Sequence, residues 1–146
     1  MAARLSQEDL NLSKSKVFGE RARKYVDIDL SFTARPDGEI FKKQESAAVK
    51  QAVKNLVLTN HYEKPFRPKF GGNVRDLLFD LADEFIEDDV KSKIIFAIEN
   101  YEPRAQILNV QAVSSPERNE LRVTVVFKVI NTNEEVTLNS TLARLR

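Results

Sequence analysis

The residues best placed to do chemistry are Glu102 and Arg104, which stand two apart across Pro103. In an extended segment such residues lie on the same side, where a guanidinium fork can meet a carboxylate in two parallel hydrogen bonds. Proline has no backbone donor and pushes the residue before it out of the helical region, so a helix running through Glu99, Asn100 and Tyr101 must stop at Glu102. Two readings of the pair are open. As a solvated pair capping the helix it adds at most about 1 kcal/mol. As a polar knot buried in the domain or against a partner, loss of one member costs about 3 to 5 kcal/mol. A second group, Lys64, Arg67 and Lys69 interleaved with Phe66 and Phe70, has the mixture of cations and rings that binds single-stranded nucleic acid. His61 is the one histidine and the chain has no cysteine, so it lacks the companions a metal site needs.

Composition narrows these options. The 146 residues are 42% hydrophobic and 31% charged, enough to bury a core without disulfides or metals. Lys and Arg number 23 against 22 acidic residues, a net charge of +1, which lacks the electrostatic footprint of a nucleic-acid or anionic-membrane binder. The absence of cysteine removes disulfides, thiolate metal sites and thiol nucleophiles and fits a reducing compartment. The apolar runs are too short to span a bilayer, and the first fifteen residues lack a signal-peptide core. The expectation is a cytoplasmically made protein with no cofactor, metal, nucleic acid or membrane.

The elements that must position these residues follow from periodicity. Residues 1–24 have no clean period and carry six basic against three acidic residues, the pattern of an arm ordered by partners; residues 25–146 read as a single domain. Val26, Ile28, Leu30 and Phe32 alternate with Asp27, Asp29 and Ser31, which predicts a strand with one buried face. Arg35-Pro36-Asp37-Gly38 predicts a turn. Val49, Ala52, Val53, Leu56 and Val57 place a helix over about 44–59, with Ser46 a candidate cap. Residues 59–72, TNHYEKPFRPKFGG, are too punctuated for regular structure, and the cost of leaving Phe66 and Phe70 in water predicts that the loop folds back on the body or onto a partner. Asn73 then caps a short second helix carrying Val74, Leu77, Leu78, Leu81 and Phe85, and Val90, Ile94, Ile95, Ile98 and Tyr101 mark a third. Beyond Arg104 the period is two: Leu108, Val110 and Ala112; Leu121, Val123, Val125, Phe127 and Val129; then Val136, Leu138 and Leu142. Short turns between them imply an antiparallel three-strand meander. The fold class is α+β, about three helices on one face of a mainly antiparallel sheet.

Two segments in this order, TNHYEKPFRPKFGGNVRDLLFD and the NYEPR that closes a later helix, resemble the baseplate wedge and sheath-initiator family of contractile-tailed phages and related injection machines. The matching positions are Glu63, Lys64, Pro65, Phe66, Pro68, Phe70, Gly71, Leu78 and Phe79, then Tyr101, Glu102, Pro103 and Arg104. Tyr62 stands where the family commonly has glycine, which implies a wider loop here. The resemblance implies a virion structural protein of the tail baseplate, similar to the C-terminal domain of the tail sheath protein. Its Tyr101–Arg104 corner would dock on the core-bundle proteins of the wedge. The loop around Glu63, Pro65, Phe66, Pro68, Phe70 and Gly71 would make further contacts. The sheet would accept extended arms of the tail sheath protein, with Val136, Thr137, Leu138, Asn139 and Leu142 as acceptor edge. Tail tube or hub proteins are further implied neighbours, and no nucleic acid or membrane is.

Some members of this family carry a lysozyme label, so glycoside hydrolysis is an alternative. It needs two carboxylates about 5 to 9.5 Å apart across a cleft, one with a raised pKa. Glu20 and Asp29 stand nine apart, as in phage lysozymes, but Arg35 replaces the expected threonine and Asp29 alternates outward on its strand. The acidic residues at 83, 84, 87, 88 and 89 read as a solvated helix junction. The expected function is therefore non-enzymatic linkage of wedge to sheath and seeding of sheath assembly. A small protein-binding regulator on the same fold is the other non-enzymatic reading.

Overall fold

A computed structural model of the chain describes residues 24–80 and 85–143. Residues 1–23, with Glu20 and most of the expected arm, lie outside the described residues, as do Leu81 and the acidic residues at 83 and 84. Strand β1 (Val26–Ile28) and strand β2 (Lys42–Gln44) form an antiparallel ribbon. Helix α1 (Glu45–Leu58) follows, then the punctuated loop, then helix α2 (Ile86–Tyr101). Strands β3 (Ala105–Ser115), β4 (Glu120–Val129) and β5 (Glu135–Ala143) make a separate antiparallel sheet in that spatial order. The class is α+β and the C-terminal meander is as expected, but the described residues hold two α-helices and two sheets.

One core joins both helices to one face of the meander. Val49, Val53, Leu56 and Val57 of α1, and Val90, Ile94, Ala97 and Ile98 of α2, cluster with Leu121, Val123, Val125, Phe127 and Val129 of β4. These positions recur at helical spacing in the helices and at every second position in β4, so each element buries one side. Helix α1 spans the expected region, although Ser46 is inside it and the N-cap position falls on Gln44, which makes no side-chain cap bond.

Three expectations are corrected. The expected second helix is a 3-10 turn over Asp76–Asp80. Asn73 enters it with φ +47 and donates to Asp76 Oδ2 at 2.6 Å, and Leu77 and Leu78 bond back three residues to Val74 and Arg75. Three residues per turn bury Val74 and Leu77 together with the adjoining Leu78. Phe85 does not join this face; it is exposed, at the N-cap position of α2.

The first strand does not bury its apolar face. Val26, Ile28, Leu30 and Phe32 are exposed, with Ile40 and Phe41 of the return arm beside them. Asp27 and Asp29 turn the other way: Asp27 meets Arg104 on the body, and Asp29 pairs within the ribbon with Lys43 at 3.2 Å. Alternation shows that the two faces differ, and the Arg104 charge on the body meets the one that carries Asp27.

Leu108 is not part of the inward set of β3. The pairing with β4 slips between Ile107 and Asn109, and Leu108 is the extra, exposed residue of a β-bulge. The inward positions thus change from Ala105 and Ile107 to Val110 and Ala112 without the strand leaving the sheet.

Candidate functional site

The corner at the end of α2 is built by its cap. Glu102 is the C-cap residue and its N–H reaches back to Ile98 O at 2.8 Å. Pro103 follows, exposed, and Ala105 N–H bonds to Glu102 O at 3.1 Å, so the chain reverses into β3 within three residues. The Arg104 fork then closes on Glu102: Nε to Oε1 at 2.6 Å and Nη2 to Oε2 at 2.8 Å. Glu102 is only 6% exposed and is the one buried charged residue among those described. Of the two readings open from the sequence, the buried knot within the domain is the observed one.

Two residues that sequence reasoning missed complete the knot. Arg104 Nη1 lies 3.5 Å from Asp27 Oδ2 on β1, and its guanidinium sits 5.4 Å from the Tyr25 ring centre. Arg104 therefore fastens the β1–β2 ribbon to the junction of α2 and β3. The fork's hydrogen bonds to Glu102, with the charges of Glu102 and Asp27 behind them, raise the Arg104 pKa further above its already high ordinary value. Its positive charge is fixed at every workable pH. The signal that would have found Asp27 was its place at the start of an alternating strand whose outer residues are apolar.

The punctuated loop is braced against the same corner. Tyr101 donates its hydroxyl to Lys69 O at 2.9 Å, and its ring packs on Phe70 at 5.1 Å, with Lys64 Nζ 3.8 Å from the centre of the Phe70 ring. Thus the two sequence motifs, about thirty residues apart, meet at one joint. Glu63 works inside the loop: Oε2 accepts from Asn60 N–H at 2.8 Å and Oε1 from Asn60 Nδ2 at 2.8 Å. Gly71 is required by space, since a Cβ there would lie 2.3 Å from Thr59 O, at φ +115. The loop is not widened at Tyr62, which adopts φ +67 and bonds its N–H to Pro68 O at 2.8 Å, taking the left-handed conformation a glycine would take. Pro65 and Pro68 are exposed. Phe66 is fully exposed at the tip with φ +64, so of the two loop phenylalanines only Phe70 packs on the body.

The acceptor-edge residues lie on an outer strand of the meander. Val136, Leu138 and Leu142 point into the core, while Thr137 and Asn139 are exposed on β5. The edges differ. On β3 the Ser114 N–H is taken by Glu87 Oε1 at 2.8 Å, whereas the outward backbone groups of β5 make no hydrogen bond among the described residues. Of the carboxylates weighed for hydrolysis, Asp29 is held below the ordinary aspartate range, first by the Ser31 N–H and then by Lys43. That excludes Asp29 from the general-acid role alone, which needs the opposite shift, and its sequence partner Glu20 lies outside the described residues. Among the described residues no cluster of three or more histidines or acids has the arrangement of a metal site, and no helix is long and apolar enough to cross a membrane.

The family pattern described as baseplate wedge protein gp25 matches residues 43–134, from β2 to the turn before β5 and across both motifs. The chain belongs to the gp25 family of baseplate wedge proteins. Among relatives of this gp25-family chain, gp25 of Enterobacteria phage T4, a baseplate wedge protein, is 27% identical over 112 residues, covering 77% of this chain and 85% of that one. The fold resembles a crystal structure of a protein from Geobacter sulfurreducens described as a tail lysozyme, at 22% identity and TM-score 0.58 over 67% of this chain and 89% of that one. It also resembles a chain in the baseplate of the anti-feeding prophage, at 18% identity and TM-score 0.59 over 85% and 90% of the two chains. At those identities the two structures speak for the fold alone. Family membership makes this gp25-family chain a structural component of the virion tail baseplate, where its neighbours are other baseplate proteins.

Proposed function

We propose that this wedge protein is a non-enzymatic coupler that links the core-bundle proteins of the wedge to the first ring of the contractile sheath and seeds sheath assembly. The observation that carries the reading is the outer edge of β5, which pairs with no strand among the described residues and borders a cleft beside α1. An unpaired edge offers main-chain hydrogen bonds to an extended arm without demanding particular side chains. The corner of Tyr101, Glu102, Pro103 and Arg104 holds Pro103 and the Phe66 tip in the open on a braced support. A rigid support lowers the ordering cost of docking. Wedge proteins are the partners this corner fits, with tail tube or hub proteins beside them.

The test is co-purification with the wedge and sheath proteins of the same tail. Pairing alternates along β5 from the Val129–Glu134 bond, which turns the backbone groups of Thr137 and Asn139 outward. Asn139→Pro therefore removes an outward donor and spares the ladder to β4. The expected result is a folded variant that retains wedge proteins and loses sheath. Unchanged sheath recovery with Asn139→Pro would remove β5 from the mechanism.

A further inference from the structure

The outer edge of β1 is already occupied, by a side chain. Asp29 N–H bonds across the ribbon to Phe41 O at 2.8 Å, so the neighbouring Ile28 carbonyl and Leu30 N–H point away from β2. Both meet the carboxamide of Gln51 on α1: Nε2 donates to Ile28 O at 2.8 Å, and Leu30 N–H points to Oε1 at 3.4 Å. An added strand would offer the same donor and acceptor to the same two backbone groups.

Gln51 lines an open cleft of about 640 Å³ between the end of β1 and the edge of β5, with Thr137, Leu138 and Asn139 on its far side. Lys50 and Lys54, one helical turn apart on α1, also line it, and neither makes an ion pair or hydrogen bond among the described residues. Lys43 is there too, paired with Asp29. The lining thus carries three lysines against one aspartate.

We propose that Gln51 stands in for a missing strand, and that what displaces it is an extended segment of a partner chain carrying acidic side chains. This rests on the reading of β5 as an acceptor edge and adds the chemistry of the arm. The backbone of the segment pairs with β5, takes over the β1 groups that Gln51 releases, and sets its carboxylates against Lys50 and Lys54. The chain's own first 24 residues do not suit the cleft by charge, having six basic and three acidic residues. Gln51 keeps the β1 edge satisfied until the arm arrives, which guards the edge against unwanted pairing.

The experiment titrates the full chain at low salt with two labelled, end-capped peptides, one alternating valine with glutamate and one alternating valine with lysine. The glutamate peptide is expected to bind about tenfold more tightly and to shift the amide resonances of Leu30, Thr137 and Asn139. Paired Lys50→Glu and Lys54→Glu changes reverse the preference. Gln51→Leu, which removes the stand-in and keeps the bulk, tightens binding about threefold. Equal binding of the peptides, binding of neither, or no effect of Gln51→Leu overturns the proposal. So does slow hydrogen exchange at Thr137 and Asn139 in the free chain, because the cleft then belongs to the chain's own arm or to a second copy. If neither peptide binds while Asn139→Pro still abolishes sheath capture, the acidic-arm inference fails and the coupling reading stands.

Discussion

At the residue scale, the corner is held by one guanidinium serving two carboxylates. Arg104→Ala leaves Glu102 buried and unpaired, and is expected to destabilise the fold by about 3 kcal/mol in urea unfolding. Arg104→Lys keeps the charge but not the fork and should cost roughly half as much; equal losses in the two variants would show that charge alone matters. Tyr62 is the converse case, a side chain at φ +67 that buries almost nothing. Tyr62→Gly should stabilise the chain by about 0.5 to 1 kcal/mol, seen as a raised Tm, because relief of the left-handed strain exceeds the added entropy of the unfolded chain. Asp29 sets a pH dependence. Its pKa is lowered on folding by the Ser31 N–H and by Lys43. The stability it lends is present above the ordinary aspartate value and is lost as pH falls through the lowered one. Asp29→Asn should therefore be less stable than the parent at neutral pH and no different in acid, and chemical unfolding at a series of pH values checks this.

At the scale of elements, β3 shows how a strand can change inward parity. Leu108 is extra relative to β4, so its deletion restores a regular ladder with Ala105, Ile107, Val110 and Ala112 still inward. Deletion of Gln111, in the paired part of the strand, has no bulge to absorb it and turns one half of β3 inside out. The first deletion should retain cooperative thermal unfolding and the second should abolish it, a contrast that circular dichroism reads directly. Apolar spacing made β3 legible as a strand, but the bulge was not, because Ile107 and Leu108 are both acceptable core residues. Likewise, Val74, Leu77 and Leu78 suit a 3-10 turn as well as an α-helical one, and the expected Asn73 cap is not made, since its Oδ1 accepts the His61 N–H and its Nδ2 donates to the Asp76 side chain.

For the whole molecule, two candidate surfaces stand on one core: a corner with an exposed aromatic tip, and a sheet edge opening on a lysine-lined cleft. Phe66→Ala should leave urea stability within about 0.5 kcal/mol of the parent, since the ring buries nothing, yet reduce co-purification of wedge proteins. Retained wedge binding would take the tip out of the docking surface. By itself the sequence determined the α+β class, the α1 and α2 helices, the three-strand meander, the proline-locked end of α2 and the two motifs of the family. All of these follow from local backbone chemistry and from the period of apolar residues, which neighbours along the chain already encode. Tertiary structure alone decided which face of the first strand turns inward, that Asp27 and Tyr25 join Arg104, that Phe70 meets Tyr101 and that Gln51 fills the edge of β1. Each joins residues distant in the chain, and the free energy that selects it comes from charge pairing, ring packing and backbone hydrogen bonding that do not exist until the core has brought them together.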